Sequence, residues 1–318
     1  MDTESGRVPI APQSVDAPLT GSAVLLTLTI APGDDAIATV RSVLAGLADV
    51  TKSVSFRDLH ASLACTVGIG SEVWDAVTGL PRPAQLHPFR EIRGAVHAAP
   101  RTAGDLLLHI RADRRDLCYE LERQLLDLLG SAVAVVDETI GFRYFDVRDL
   151  LGFVDGTANP LGAELPESTI VGGEDLAAIG GSYLVVQKYV HPLERWNALP
   201  TEQQEAIMGR TKADNIELDD AAAADQKSHK TLATITDENG VEHAILRDNM
   251  PFGSPGHGEF GTYFIGYTRD LSVIERMLER MFIGDPPGTH DRLLDFSIPT
   301  TGGTYFVPAA SLLDSLGD

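Results

Sequence analysis

Twice along this chain the apolar residues pass through the same succession of periods, and that double succession constrains the fold more than any other feature. The first opens with AVLLTLTI (residues 23–30), whose apolar and β-branched run reads as a strand. DAIATVRSVLAGLADV (35–50) then places apolar residues at helical spacing, and LACTVGIG (63–70) is a second strand. SEVWDAVTGL reads as a short helix with Ser71 as its N-cap. AGDLLLHIRAD (103–113) leads into RRDLCYELERQLLDLL, a helix of about 16 residues, and AVAVVDETIGFRYFD (132–146) closes this half as an extended segment with a turn. The second succession runs through GSYLVVQKYV (181–190), a helix in LPTEQQEAIMGR (199–210), and strands in HAILRDNMPFG (243–253) and GTYFIGYTRD (261–270). It ends in LSVIERMLERMFIG (271–284), an amphipathic helix stopped by Gly284 with Pro286 and Pro287 beyond.

Strand, helix, strand, strand, helix, strand is the order of a split β-α-β unit. The expected class is therefore α+β: two ferredoxin-like domains, each an antiparallel sheet with helices packed on it. The similarity of the halves is one of pattern, with no obvious repeat of sequence. Residues 1–22, rich in Pro, Ser, Asp and Gly, read as a flexible N-terminal arm; residues 23–150 and 151–318 are the two domains. A length of 318 residues fits two domains of roughly 100–200 residues each.

The chain carries 46 acidic and 25 basic residues, a net charge of −21, which repels phosphate backbones and anionic membrane surfaces and attracts cations. Nucleic acid and membrane are thus excluded as partners. No run of about 18 apolar residues occurs, and the N-terminus lacks a basic stretch followed by an apolar one, so neither a membrane span nor a secretory signal is expected. Cys65 and Cys118, the only two cysteines, lie in apolar periodic segments and read as buried and reduced. These features point to the cytoplasm.

Several motifs fail on inspection. GFVDGTANP (152–160), near the midpoint, contains Asp-Gly-Thr, but Phe153 stands where a phosphatase would need its nucleophilic aspartate. VGIGSEV lacks the third glycine of a dinucleotide fingerprint, and HGE (257–259) lacks the cysteine half of a zinc deaminase site. In HAILRDNMPFG, Arg247 and Asn249 are two apart and share a strand face, either as an anion- or oxygen-binding pair or as an exposed, solvated face. His229 precedes a β-branched, strand-like segment and by itself reads as a ligand or as a satisfied surface residue. Asp291 and Asp295, four apart, would share a face if helical, as caps, surface charges or partners of a site.

GFVDGTANP, a histidine some seventy residues on, then RDNMPFG and GTYFIGY in that order resemble the dye-decolourising (DyP-type) haem peroxidases. DRLLDFS and the compact size are similar to the B class of that family, and the resemblance runs from about residue 20 to 310. It implies one haem b per chain, held mainly by the second domain, and an enzyme that reduces H2O2 and oxidises dyes, phenolic compounds or metal ions through a ferryl intermediate. It also implies a homo-oligomer. The alternative on the same fold is a haem-handling protein that stores haem or releases its iron.

By this resemblance His229 is the proximal ligand to haem iron and Asp291 the carboxylate that accepts its other ring proton, with Asp295 as the fallback partner. Asp155, Arg247 and Asn249 are the peroxide-handling residues. Asp155 would shuttle the proton, Arg247 would stabilise the hydroperoxide anion and contact the haem, and Asn249 would position water or peroxide. As a base of ordinary pKa, about 3.9, Asp155 would stay deprotonated in mild acid. Gly156 and Thr157 would let the backbone approach the macrocycle, while Thr157 and Asn159 would contact a propionate. Glu242 is a candidate for Mn2+ near a propionate or an exposed glutamate. Tyr189, Trp196, Tyr263 and Tyr267 are candidates for electron relay or for core. A C-terminal tag for packaging into a protein compartment is not expected after AASLLDSLGD.

Overall fold

Residues of alternating parity on the first strand, β1 (Ser22–Ile30), enter two different cores, and this division organises the molecule. Val24, Leu26 and Leu28 join one core, while Ala23 and Leu25 join another, because successive strand side chains point to opposite faces. The structure, a computed structural model, describes residues 10–222 and 225–317.

The N-terminal half adds β2 (Ala64–Gly70), a small hairpin of β3 (Ile92–Arg93) and β4 (Ala98–Ala99), β5 (Leu106–Ala112) and β6 (Val133–Phe142). The C-terminal half contributes β7 (Ser182–Val190), β8 (Ile235–Thr236), β9 (Glu242–His243), β10 (Leu246–Arg247), β11 (Met250–Ser254), β12 (Glu259–Thr268), β13 (Ile298–Pro299) and β14 (Gly303–Val307). The strands of the first sheet lie in the order β6-β1-β5-β2, and those of the second in the order β14-β7-β12-β11, all antiparallel. Counting main strands within each half, both orders are fourth, first, third, second, as the ferredoxin-like pattern requires.

The two sheets do not stand apart. β6 pairs with β11 through Gly141 and Phe252, and β2 pairs with β14 through Gly70–Tyr305 and Ile69–Phe306. Eight strands thereby close into a ring without free edges. Gly141 makes one seam possible, since a side chain there would collide with Met250. The core inside the ring draws Leu25 and Leu107 from the first half and Val186, Ile265 and Tyr305 from the second. Helices lie outside it. Arg115–Leu129 buries Leu117, Leu121 and Leu125 at four-residue spacing, each worth roughly 1.5–3 kcal/mol when fully buried.

Polar groups also enter the ring. β5 turns His109 and Arg111 inward, where Arg111 Nη1 meets Asp248 Oδ2 at 2.5 Å and His109 Nδ1 lies 2.8 Å from the Tyr267 hydroxyl. All three charged or ionisable side chains are fully buried, and burial pushes His109 down to about 3.

Several expectations are corrected. The helix expected over 35–50 is two, Asp34–Ala45 and Leu47–Ser55, broken at Gly46. Ser71 caps nothing: its hydroxyl is buried without a partner, and the short helix Trp74–Thr78 starts after Val73. Segment 132–146 is, as expected, extended with a turn: β6 is followed by a turn at Asp146 and Val147, both at positive φ. Segment 243–253 is broken into β9, β10 and β11 rather than forming one strand.

Of the arm expected to be loose, residues 1–9 lie outside the described part, and the remainder is pinned. Gln13 Nε2 donates to Val67 O and Pro308 O while its Oε1 accepts from Val67 N, and Val15 enters the ring core. Cys65 and Cys118 are free thiols. Among the described residues no helix is long and apolar enough to cross a membrane.

Candidate functional site

His229 opens a short helix, His229–Ala233, that comes before strand β8, and Ser228 caps it by accepting from Thr231 N at 3.4 Å. The cap turns the imidazole toward Asp291, with Nδ1 2.7 Å from Oδ2. Asp291 is fully buried; its Oδ1 accepts from Leu293 N at 2.9 Å and its own N–H donates to Met281 O. A carboxylate that only accepts fixes the ring proton on Nδ1, which leaves the Nε2 lone pair free. No described residue bonds Nε2, and His229 lines a cavity of about 790 Å³. Asp295 is committed elsewhere, to His97, His290 and Arg292, so it is no substitute for Asp291.

A second group lines the same cavity. Asp155 follows Val154, which bridges to Arg148, and its N–H donates to Val147 O. Gly156, at φ +70°, then turns the chain so that its N–H donates to Asp155 Oδ1 at 2.7 Å. Asn249 Nδ2 donates to the same oxygen at 3.2 Å, while Asn249 Oδ1 accepts from Ile265 N on β12 at 3.1 Å. Asn249 is therefore an arm that holds Asp155, and Oδ2 of Asp155 has no partner among the described residues.

Arg247 is gripped through its backbone. Asn159 Nδ2 donates to Arg247 O at 2.7 Å and Asn159 Oδ1 accepts from Arg247 N at 2.9 Å. The Asn159 amide is thus engaged at both ends, and Asn159 is not among the residues that line the cavity. Among the described residues the Arg247 guanidinium has one hydrogen bond, from Nη2 to Met277 Sδ at 3.8 Å. A guanidinium with five donors and only a thioether acceptor is equipped to bind an anion.

Burial raises the Asp155 carboxyl above the usual range, opposed by the Gly156 N–H, by Arg247 and by Asn249. Burial likewise lowers Arg247, opposed by Asp155 and Glu242. Asp149, absent from the sequence reading, lines the cavity and is pushed up to about 7 by burial.

Thr157 is exposed at the cavity rim, where Asn215 Nδ2 donates to its hydroxyl at 3.1 Å, and Glu242 lines the cavity from β9. Of the four aromatic candidates, only Tyr189 lines the cavity; Trp196, Tyr263 and Tyr267 are buried in core. The helix Leu271–Phe282 contributes Ile274, Met277, Leu278 and Met281, a stripe at helical spacing that reads as core in sequence and here walls the cavity. Lys230 and Arg210, also on the lining, were missed because each sits in an ordinary charged stretch.

One cavity thus brings together an imidazole, a carboxylate, a guanidinium and an apolar wall, within the 300–1,000 Å³ range of cofactor pockets. Two family models match the chain. The one described as Dyp-type peroxidase, N-terminal, covers residues 12–143, and the one described as Dyp-type peroxidase, C-terminal, covers 146–312. A dye-decolorizing peroxidase of Brevibacterium linens is 54% identical over 95% of this chain and 82% of its own length. One from Mycobacterium tuberculosis is 50% identical over 96% of this chain and 90% of its own length. The solved structure of DyPB from Rhodococcus jostii RHA1 superposes with a TM-score of 0.93 at 54% identity, covering 98% of this chain and 100% of that one. A variant of that protein was solved in complex with heme, with the same TM-score of 0.93 and 54% identity over 98% and 100% of the two chains.

Proposed function

The chain belongs to the Dyp-type peroxidase family, a haem-dependent peroxidase, and from that premise we propose how its own residues hold the cofactor and handle peroxide. The observation that carries the reading is the hydrogen bond of 2.7 Å between His229 Nδ1 and the buried Asp291, which leaves Nε2 bare toward the cavity. The donor set fits haem: a neutral imidazole nitrogen, an apolar wall from Ile274, Met277, Leu278 and Met281, and an unsatisfied guanidinium.

His229 Nε2 would hold the iron, and Asp291 would keep the ring oriented and electron-rich. Haem bound there supplies the redox chemistry that passes the oxidising equivalents of H2O2 to a reductant. Asp155 Oδ2 accepts the proton that hydrogen peroxide releases and returns it to the departing oxygen. Arg247 stabilises the anion formed on proton loss, its guanidinium held near by the Asn159 clamp. Asn249 holds the Asp155 carboxyl in place, and Thr157 at the rim would contact a propionate. Dyes, phenolic compounds or metal ions serve as reductants, with Glu242 on the lining as a site for Mn2+.

The absorption spectrum of haemin-reconstituted protein tests this reading. Wild type shows a sharp Soret band that changes rapidly on one equivalent of peroxide, and His229→Ala weakens or shifts it. A Soret band indifferent to peroxide would move the function to haem storage or iron release. No Soret band would remove the site altogether.

A further inference from the structure

Away from the cavity, three ligand-type side chains from two distant parts of the chain converge on one point. His97 belongs to the β3–β4 hairpin, which is pressed against the C-terminal end of helix Leu271–Phe282. Gly94 of that hairpin sits so close to Phe282 O that a side chain would collide with it, and its N–H donates to His97 O at 2.9 Å. His290 and Asp295 come from the loop after the helix. His97 Nε2 lies 2.9 Å from Asp295 Oδ1, and His290 Nε2 lies 3.1 Å from the same oxygen. The two rings are edge-to-face with centroids 4.9 Å apart, and the three ligand atoms lie within 4.8 Å of one another.

We infer that His97, His290 and Asp295 form a binding site for a divalent transition-metal ion, which clasps the N-terminal hairpin to the loop that carries Asp291. Two imidazoles and a carboxylate suit borderline ions such as Zn2+, which take three such ligands and leave a fourth position to water. The two nitrogen–oxygen separations are close to the edge of a tetrahedron built on bonds of about 2.0 Å, roughly 3.3 Å. Arg292 Nε donates to Asp295 Oδ2 at 2.6 Å, so it orients the carboxylate while leaving Oδ1 to the ion. The side chains of His97, His290 and Asp295 are 19%, 16% and 19% exposed, sheltered but reachable from solvent. A net charge of −21 raises the local concentration of cations. On ligation each ring carries its proton on Nδ1 instead of Nε2.

The test titrates untagged full-length protein, haem-loaded and stripped with a chelator, with Zn2+ in a calorimeter. Wild type binds one equivalent, and the ion raises its thermal unfolding midpoint. His97→Gln and Asp295→Asn each weaken binding at least about tenfold and abolish the rise. Zinc binding unchanged in both variants, or no binding by wild type, would leave a hydrogen-bonded cluster only and overturn the inference. Circular dichroism identifies a variant that fails to fold, and the other variant then decides. The Soret band reports on His229 separately, so failure of the haem assignment and failure of the zinc site are distinguishable.

Discussion

At the scale of single residues, the proposed chemistry rests on Arg247 and Asp155. Among the described residues no carboxylate or carbonyl accepts a hydrogen bond from the Arg247 side chain, which on the proposed reading leaves its charge for an entering anion. Arg247→Leu should retain haem and slow the peroxide-dependent Soret change by about 10²–10³ in stopped flow, the usual loss for removing one such stabilising donor. An unchanged rate would deny it that role. Asp155 was expected to act with an ordinary carboxylate pKa, but burial raises it. Its base form is lost as pH falls through a value above 3.8, so the acid limb of kcat/KM for peroxide lies higher than for a free aspartate. Asp155→Asn should remove that limb; if the limb persists, another group such as Asp149 controls it.

Asp149 carries its own signature in stability. Its native value of about 7 exceeds the unfolded value of about 3.9, so between the two the folded chain keeps a proton that the unfolded chain has lost. Stability therefore falls as pH rises through that window. Asp149→Asn should raise the unfolding midpoint at about pH 8 and leave it nearly unchanged at about pH 3.5. The reverse pattern in thermal melts would show that Asp149 is charged and stabilising.

At the scale of elements, the site depends on joints between short segments. The loop bearing Asp155 and the strand β10 bearing Arg247 are tied by two hydrogen bonds from one amide, that of Asn159. Asn159→Ala leaves an N–H and a carbonyl of Arg247 unmatched, at about 0.5–1.5 kcal/mol for each bond. Turnover with peroxide should fall while the Soret band is kept, since Asn159 does not line the cavity. A lost Soret band together with retained turnover per bound haem would instead place Asn159 at the cofactor. The motif GFVDGTANP was legible as a tight turn because its glycines and proline demand one. The grip of its asparagine on residue 247, 88 positions away, leaves no trace in local pattern.

At the scale of the whole molecule, the strand carrying the site is anchored in the opposite half. Arg247 and Asn249 face the cavity, while Asp248 between them turns into the ring and meets Arg111 on β5. Arg111→Met should cost about 3–5 kcal/mol in chemical denaturation, because it strands the buried charge of Asp248. Combining it with Asp248→Leu should recover most of that loss, and a cost for the double variant as large as for the single would refute the pairing.

The succession of periods determined two α+β halves, because apolar spacing is a local property that each segment carries alone. The resemblance of several ordered motifs to one family, rather than any local pattern, singled out Asp155, Arg247, His229 and Asp291 as candidates. Only the tertiary structure decided that the two sheets close into one ring, that the Asn249 and Asn159 amides bond to Asp155 and to the Arg247 backbone, and that Asp149 joins the cavity. Edge pairing, buried charge and cavity lining depend on segments that meet only after folding, and no spacing within one segment encodes the meeting.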